Sequence, residues 1–161
     1  DQSDRGDRAM ARAEAARPDA AVKEEVWDRL HNHGYDSLHL ALAGAAGFWR
    51  RRQAELLEPF VPRFFDGLPD LFGEWEPEAA RGYYRSFFPA YRIEESTREA
   101  IAGLLAGEGL GPILRRMLVE TEDDLQRALA CRAHAAPPPE PPPEEPEPAE
   151  DGDEEGAAET A

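Results

Sequence analysis

The stretch "LLEPFVPRFFDGLPDLFGEW", residues 56–75, decides the fold class of this chain. Large apolar side chains recur in it at steps of three and four, at Leu57, Phe60, Val61, Phe64, Phe65, Leu68, Leu71, Phe72 and Trp75. This spacing is typical of an α-helix with a wide buried face. Pro59 and Pro62 fit the first turn of such a helix, where the backbone amides have no intrahelical acceptor. The stretch therefore predicts a heavily buried helix.

The flanking sequence repeats the helical spacing in shorter segments. Apolar stripes occur at Val22, Val26 and Leu30, at Leu38, Leu42 and Ala46, at Ala80, Tyr84, Phe87 and Tyr91, and at Ile101, Leu104 and Leu105. No segment shows the alternation typical of a strand. The sequence therefore predicts an all-α fold.

Glycines and capping residues predict where these helices end. The run Asn32-His33-Gly34, the break at Gly47 and the glycines at 107, 109 and 111 are typical helix stops. Helix starts are predicted at Pro18-Asp19, at Asp36 or Ser37, and at Pro112, and the capping-box spacing of Thr121 and Asp124 predicts the start of a separate last helix.

The order of short helices and brief loops indicates stacked antiparallel helix pairs, a HEAT-like superhelical array. No clean sequence repeat accompanies it. We expect one helical domain over residues 1–136. Residues 137–161 contain eight prolines and no large apolar residue, a composition that cannot form a core and predicts a disordered tail.

The charge distribution excludes several classes of partner. The net charge is −16, and residues 137–161 supply ten acidic residues without a basic one. Nucleic-acid binding needs clustered Lys and Arg, so we expect no nucleic-acid partner. No apolar run reaches the roughly 20 residues of a membrane helix, so we expect no membrane association. A single cysteine, Cys131, favours a reducing, cytoplasmic location.

Three histidines, His31, His33 and His39, lie close together in "LHNHGYDSLHL", residues 30–40. Zinc hydrolases place two histidines one helical turn apart with a glutamate between them, as His-Glu-x-x-His. This chain has no such motif. We therefore expect three partly solvated loop histidines, no metal ligand and no catalytic residue.

Three segments resemble the C-terminal helical domain of bacterial aminopeptidase N, in the zinc-dependent M1 family of peptidases. They are "ARPDAAVKEEVWDRL", "LALAGAAGFWRRRQAELLEPFVPRFFDGLPDLFGEWEPEAARGYYRSFFP" and "PILRRMLVETEDDLQRALACRA". The resemblance runs collinearly over roughly residues 9 to 133 and implies a bowl of HEAT-like helix pairs that closes over the catalytic domain and encloses the peptide substrate. The family's zinc and exopeptidase motifs are absent from this chain, so the zinc is expected in a catalytic domain, in the same or another chain.

The resemblance implies a substrate-enclosing domain that is inactive alone and touches the peptide only indirectly. The first residue is Asp1 rather than Met, so we expect sequence upstream. The alternative is a free-standing HEAT-like protein-interaction module; an independent small hydrolase is disfavoured because its site chemistry is lacking.

A loop that departs from the family pattern supplies the candidate contact with the catalytic domain. Where the family usually has a Gln-Pro-Gly-like loop, this chain has "WRRRQ", residues 49–53. Aromatic side chains in a loop are either core residues or contacts for a partner. The candidate domain contact is therefore made of Phe48, Trp49, Arg50, Arg51 and Arg52.

Overall fold

A computed structural model describes residues 4–135, and all regular structure in that range is helical. The helices are α1 (Asp4–Ala15), α2 (Ala20–His31), α3 (Leu38–Phe48), α4 (Ala54–Leu57), α5 (Phe60–Glu74), α6 (Pro77–Phe87), α7 (Glu95–Ala106) and α8 (Pro112–His134), with a 3-10 turn at Arg51–Gln53. The all-α prediction is confirmed. The predicted tail, residues 137–161, and the domain boundary at residue 136 lie outside the described residues.

Helix α5 forms the centre of the core, as the stretch 56–75 predicts. It buries six apolar side chains, namely Phe60, Val61, Phe64, Phe65, Leu68 and Leu71. Pro59 precedes its first residue and Pro62 lies in its first turn, where neither removes an intrahelical bond. The helix packs against α6, α7 and α8. The position of α5 thus orders the C-terminal half of the described chain.

Side-chain caps start two of the helices at the predicted positions. Asp19 Oδ1 accepts a hydrogen bond from the Val22 amide, 3.1 Å away, at the start of α2. Ser37 Oγ accepts one from the Leu40 amide, 3.3 Å away, at the start of α3. Between them, His33 has a φ of 52°, in the left-handed region that ends many helices. The polar run 32–34 therefore ends α2 as predicted.

The predicted break at Gly47 is wrong, because α3 continues through Gly47 to Phe48. Glycine serves here for close approach: a Cβ at position 47 would lie 2.2 Å from the backbone oxygen of Arg12 in α1. The buried face of α3 consists of Gly44, Ala45, Gly47 and Phe48. In the predicted stripe, Leu42 and Ala46 are only partly buried and Leu38 is exposed. The buried face consists mainly of small residues because these allow α1 and α3 to come into contact.

Two predicted helix ends also differ from the structure. Helix α6 ends at Phe87, so Tyr91 lies beyond it, because Phe88 precedes Pro89 and takes an extended conformation. Helix α8 runs unbroken from Pro112 to His134. Thr121 starts no new helix; its hydroxyl donates to the Met117 carbonyl, 2.8 Å away, and bonds the Tyr84 hydroxyl at 2.8 Å.

Close packing joins α1 to α3, α3 to α6, and α7 to α8. These contacts link the two halves of the described chain through the α3–α6 pair. A regular HEAT-like stacking of pairs stays a prediction.

We predict opposite effects for two glycine-to-alanine substitutions. Gly47→Ala forces α1 and α3 apart and should lower the free energy of unfolding by about 1–3 kcal/mol. Gly67→Ala, on the exposed side of α5 with no atom within 4 Å of the added Cβ, should raise it by about 0.5–1 kcal/mol. Urea unfolding followed by circular dichroism measures both. Equal effects at the two positions would contradict the close α1–α3 contact.

Candidate functional site

Lys23, the only lysine of the chain, is fully buried at the junction of three helices. Its Nζ atom donates to the Ala15 carbonyl at 2.6 Å and to the Phe48 carbonyl at 2.7 Å. These oxygens belong to the last residues of α1 and α3, where carbonyls have no intrahelical donor. A cation there also complements the two helix dipoles. Lys23 in α2 thus caps two neighbouring helices at once.

The surroundings of Lys23 disfavour its charged form. Burial and, to a smaller extent, the positive charge of Arg50 together lower the pKa of Lys23 to about 8. The Nζ atom also lies 4.9 Å from the centre of the Phe48 ring. Either protonation state keeps donors for both carbonyls, so the cap persists while the charge changes.

Phe48, the first of the predicted contact residues, is completely buried. Its ring lies 5.1 Å from the Phe60 ring, 5.0 Å from the Phe87 ring and 6.0 Å from the Trp27 ring. These distances are typical of packed aromatic pairs. Phe48 therefore joins α2, α3, α5 and α6 inside the core.

Trp49 stands at the edge of the same aromatic cluster. It follows the last residue of α3, is half-buried, and donates from Nε1 to the Phe87 carbonyl at the end of α6. Its ring lies 5.5 Å from the Phe87 ring and 6.2 Å from the Tyr91 ring. Trp49 fixes where the chain leaves α3 while part of its surface stays accessible.

The next three residues carry the basic part of the predicted contact. Arg51 and Arg52 are exposed, in the 3-10 turn, and Arg50 is half-buried. Within residues 4–135 none of the three makes an ion pair or a side-chain hydrogen bond. We call residues 49–52 the basic connector. It presents three uncompensated positive charges on an otherwise acidic chain.

The histidines are not a group of three loop residues. His31 is the last residue of α2 and is half-buried, stacked on Trp27 with a centroid distance of 4.4 Å. Its Nδ1 lies 2.7 Å from the Trp27 carbonyl, to which it donates, and its Nε2 accepts from the Tyr83 hydroxyl at 2.8 Å. Burial lowers the pKa of His31, so the ring stays neutral. His33 and His39 are exposed, but His39 lies in α3, so the prediction of loop histidines holds for His33 alone of the three.

Two buried tyrosines of α6, Tyr83 and Tyr84, are part of the packed core. Burial raises the pKa of Tyr84 to about 12 and that of Tyr83 still further, so both phenols remain neutral hydrogen-bonding groups. In the described part of the chain, no three His, Cys, Asp or Glu side chains lie close enough to hold a metal ion.

No helix between residues 4 and 135 is both long and apolar enough to cross a bilayer.

Comparison with known proteins gives one clear relationship. Over 135 residues, 83% of this chain, the sequence is 32% identical to aminopeptidase N of Streptomyces lividans. This chain is related to aminopeptidase N. The alignment spans only 16% of that aminopeptidase N, so the chain corresponds to a small part of its relative. No family model matches the sequence.

The sequence pattern predicts neither the burial of Lys23 nor the role of His31. Lys23 lies between the apolar residues Val22 and Val26, and nothing in its neighbourhood marks it as buried, because lysine is normally exposed. The one available signal is that the chain contains a single lysine among 18 basic residues.

We predict that the pKa of Lys23 is about 8, well below the ordinary lysine value of 10.5, because its side chain is buried. Protein labelled with carbon-13 at lysine Cε gives a single resonance, because Lys23 is the only lysine. Between pH 8 and pH 10.5 Lys23 is mostly neutral in the folded protein and mostly protonated in the unfolded chain. The unfolded state therefore binds more protons, so the free energy of unfolding rises with pH in this window. Relative to Lys23→Met, the free energy of unfolding should therefore gain about 1 kcal/mol per pH unit above pH 8. A midpoint above pH 10 would contradict the buried position of this amine.

Proposed function

We propose that this chain is the C-terminal, substrate-enclosing region of an aminopeptidase N, an enzyme that removes N-terminal residues from peptides, and that it supplies no catalytic residue itself. The observation that carries the proposal is the similarity to aminopeptidase N over 83% of the chain, confined to 16% of the relative. The remaining length of such an enzyme leaves room for a separate catalytic domain.

The chemistry of this chain supports a non-catalytic role. The sequence contains no His-Glu-x-x-His motif. Four groups with shifted pKa values, Lys23, His31, Tyr83 and Tyr84, each join one helix to another. None of them lies free to transfer a proton to a substrate. In this proposal the zinc and the general base belong to the catalytic domain, and this region shapes the chamber.

The basic connector supports a contact with that domain. Trp49 is held by the Phe87 carbonyl and by aromatic rings, so its exposed edge is fixed relative to the core. Arg51 and Arg52 extend beside it with no partner in the described chain. A preorganised aromatic edge with adjacent arginines is typical of the residues that dominate protein interfaces. Phe48 has no exposed surface and contributes by holding Trp49 in place.

Enclosure of the substrate explains how a region without catalytic groups affects turnover. Closing a helical bowl over an active site excludes water and positions the peptide against the reacting groups. The aromatic cluster of α2, α3, α5 and α6 gives the bowl a rigid wall. We propose a cytoplasmic setting for this enzyme.

We predict that adding this chain raises peptide turnover by an aminopeptidase N catalytic portion that lacks its own C-terminal region. The chain alone should hydrolyse no aminoacyl anilide and hold no stoichiometric zinc. Arg51→Gln combined with Arg52→Gln should raise the chain concentration needed for half-maximal turnover by about tenfold, because it removes two interface charges.

The matched control is Arg116→Gln with Arg127→Gln, which removes two exposed arginines from α8. This pair should leave the response unchanged, and circular dichroism should show equal helicity in both double variants. If turnover does not respond to the chain at all, the free-standing interaction module replaces the present proposal.

A further inference from the structure

A second site lies away from the basic connector, between the α2–α3 loop and the junction of α5 with α6. The surface there forms an open cavity of about 590 Å³, within the range of small-ligand sites in proteins. Six residues of its lining carry its chemistry, namely His33, Tyr35 and Leu38 from the loop and Glu74, Trp75 and Glu76 from the junction. Neither segment alone forms the cavity.

Aromatic rings form much of the cavity wall. Trp75 is half-buried; its ring lies 5.5 Å from the His33 ring on the loop and 5.4 Å, edge-on, from the Tyr83 ring of α6. The Tyr35 ring is held by the Arg29 guanidinium, 5.2 Å from its centre. The rings are therefore supported by neighbours and still contribute surface to the cavity. Such surfaces attract flat cations, because the faces of aromatic rings are negative.

The charge of the lining is negative. Glu74 and Glu76 are exposed, and neither forms an ion pair within residues 4–135. The one arginine of the lining, Arg29, is already compensated: its guanidinium lies 2.9 Å from Glu14 and 3.9 Å from Glu25. Two carboxylates therefore remain without a partner beside the aromatic wall.

The position of Glu74 has no structural explanation. It is the last residue of α5, where the helix dipole disfavours a negative charge. Nothing in the described chain compensates it. Its position fits a ligand that supplies the missing positive charge.

We propose that this cavity binds the arginine side chain of a polypeptide. A guanidinium is planar, stacks on aromatic rings, and pairs with carboxylates through two parallel hydrogen bonds, whereas an ammonium acts as a point charge. The cavity offers both an aromatic wall and two free carboxylates for such a group. This site is separate from the contact proposed above, and its test uses the full 161-residue chain without any catalytic portion.

The test is isothermal titration calorimetry of the chain with acetyl-Gly-Arg-Gly-amide and with the neutral acetyl-Gly-Gln-Gly-amide. The arginine peptide should bind at least about tenfold more tightly. Glu74→Gln combined with Glu76→Gln should lower the affinity for the arginine peptide by about tenfold and leave the affinity for the glutamine peptide unchanged. Glu74→Gln removes a charge that opposes the α5 dipole, and Glu76→Gln removes one that complements the α6 dipole, so the two changes should roughly offset in their effect on stability.

The matched control is Glu55→Gln with Glu108→Gln, two exposed carboxylates outside the cavity. This control should keep the parent affinity. Trp75→Leu should also lower the affinity for the arginine peptide, whereas Trp75→Phe, which keeps an aromatic ring, should retain most of the parent affinity. Equal affinity for the two peptides, an equal loss in both glutamate variants, or no heat at millimolar peptide would each overturn the proposal.

Discussion

The hydrogen bonds from Lys23 to the ends of α1 and α3 are the constraint on which the N-terminal half of the structure depends. Two helix ends converge on one another only if their unpaired carbonyls find donors, because buried carbonyls without partners are costly. Lys23 meets both needs from α2 with one side chain. Gln53 adds a third donor, to the Ala16 carbonyl at 2.9 Å. The ends of α1 and α3 are thereby fixed where the basic connector begins.

This arrangement links the interior of the protein to its exposed surface. With its carbonyl held by Lys23, Phe48 fills the centre of the aromatic cluster, and the chain must turn outward at Trp49. Trp49 then bonds to the end of α6, and the arginines follow on the exposed side. Arg50 in turn lowers the pKa of Lys23 further. The orientation of the proposed contact surface therefore follows from a buried polar interaction rather than from the connector's own sequence.

The sequence predicted those features that depend on local periodicity and on capping residues. The buried helix of residues 56–75 and the ends of α2 follow from apolar spacing and from Asp19 and the polar run 32–34. Features that depend on distant residues were not predictable. Gly47 continues α3 because α1 crosses it, and the Thr121 hydroxyl bonds Met117 and Tyr84 instead of starting a helix. The cavity likewise combines a loop and a helix junction about 40 residues apart in the chain.

We propose that this chain completes an aminopeptidase N rather than acting alone. The most direct measurement is sedimentation velocity of the chain mixed in equal amounts with an aminopeptidase N catalytic portion that lacks its C-terminal region. The account predicts a single boundary with the mass of a one-to-one complex, which separates into its components at high salt because the basic connector contributes charge to the contact. Two unchanged boundaries at low salt would contradict it.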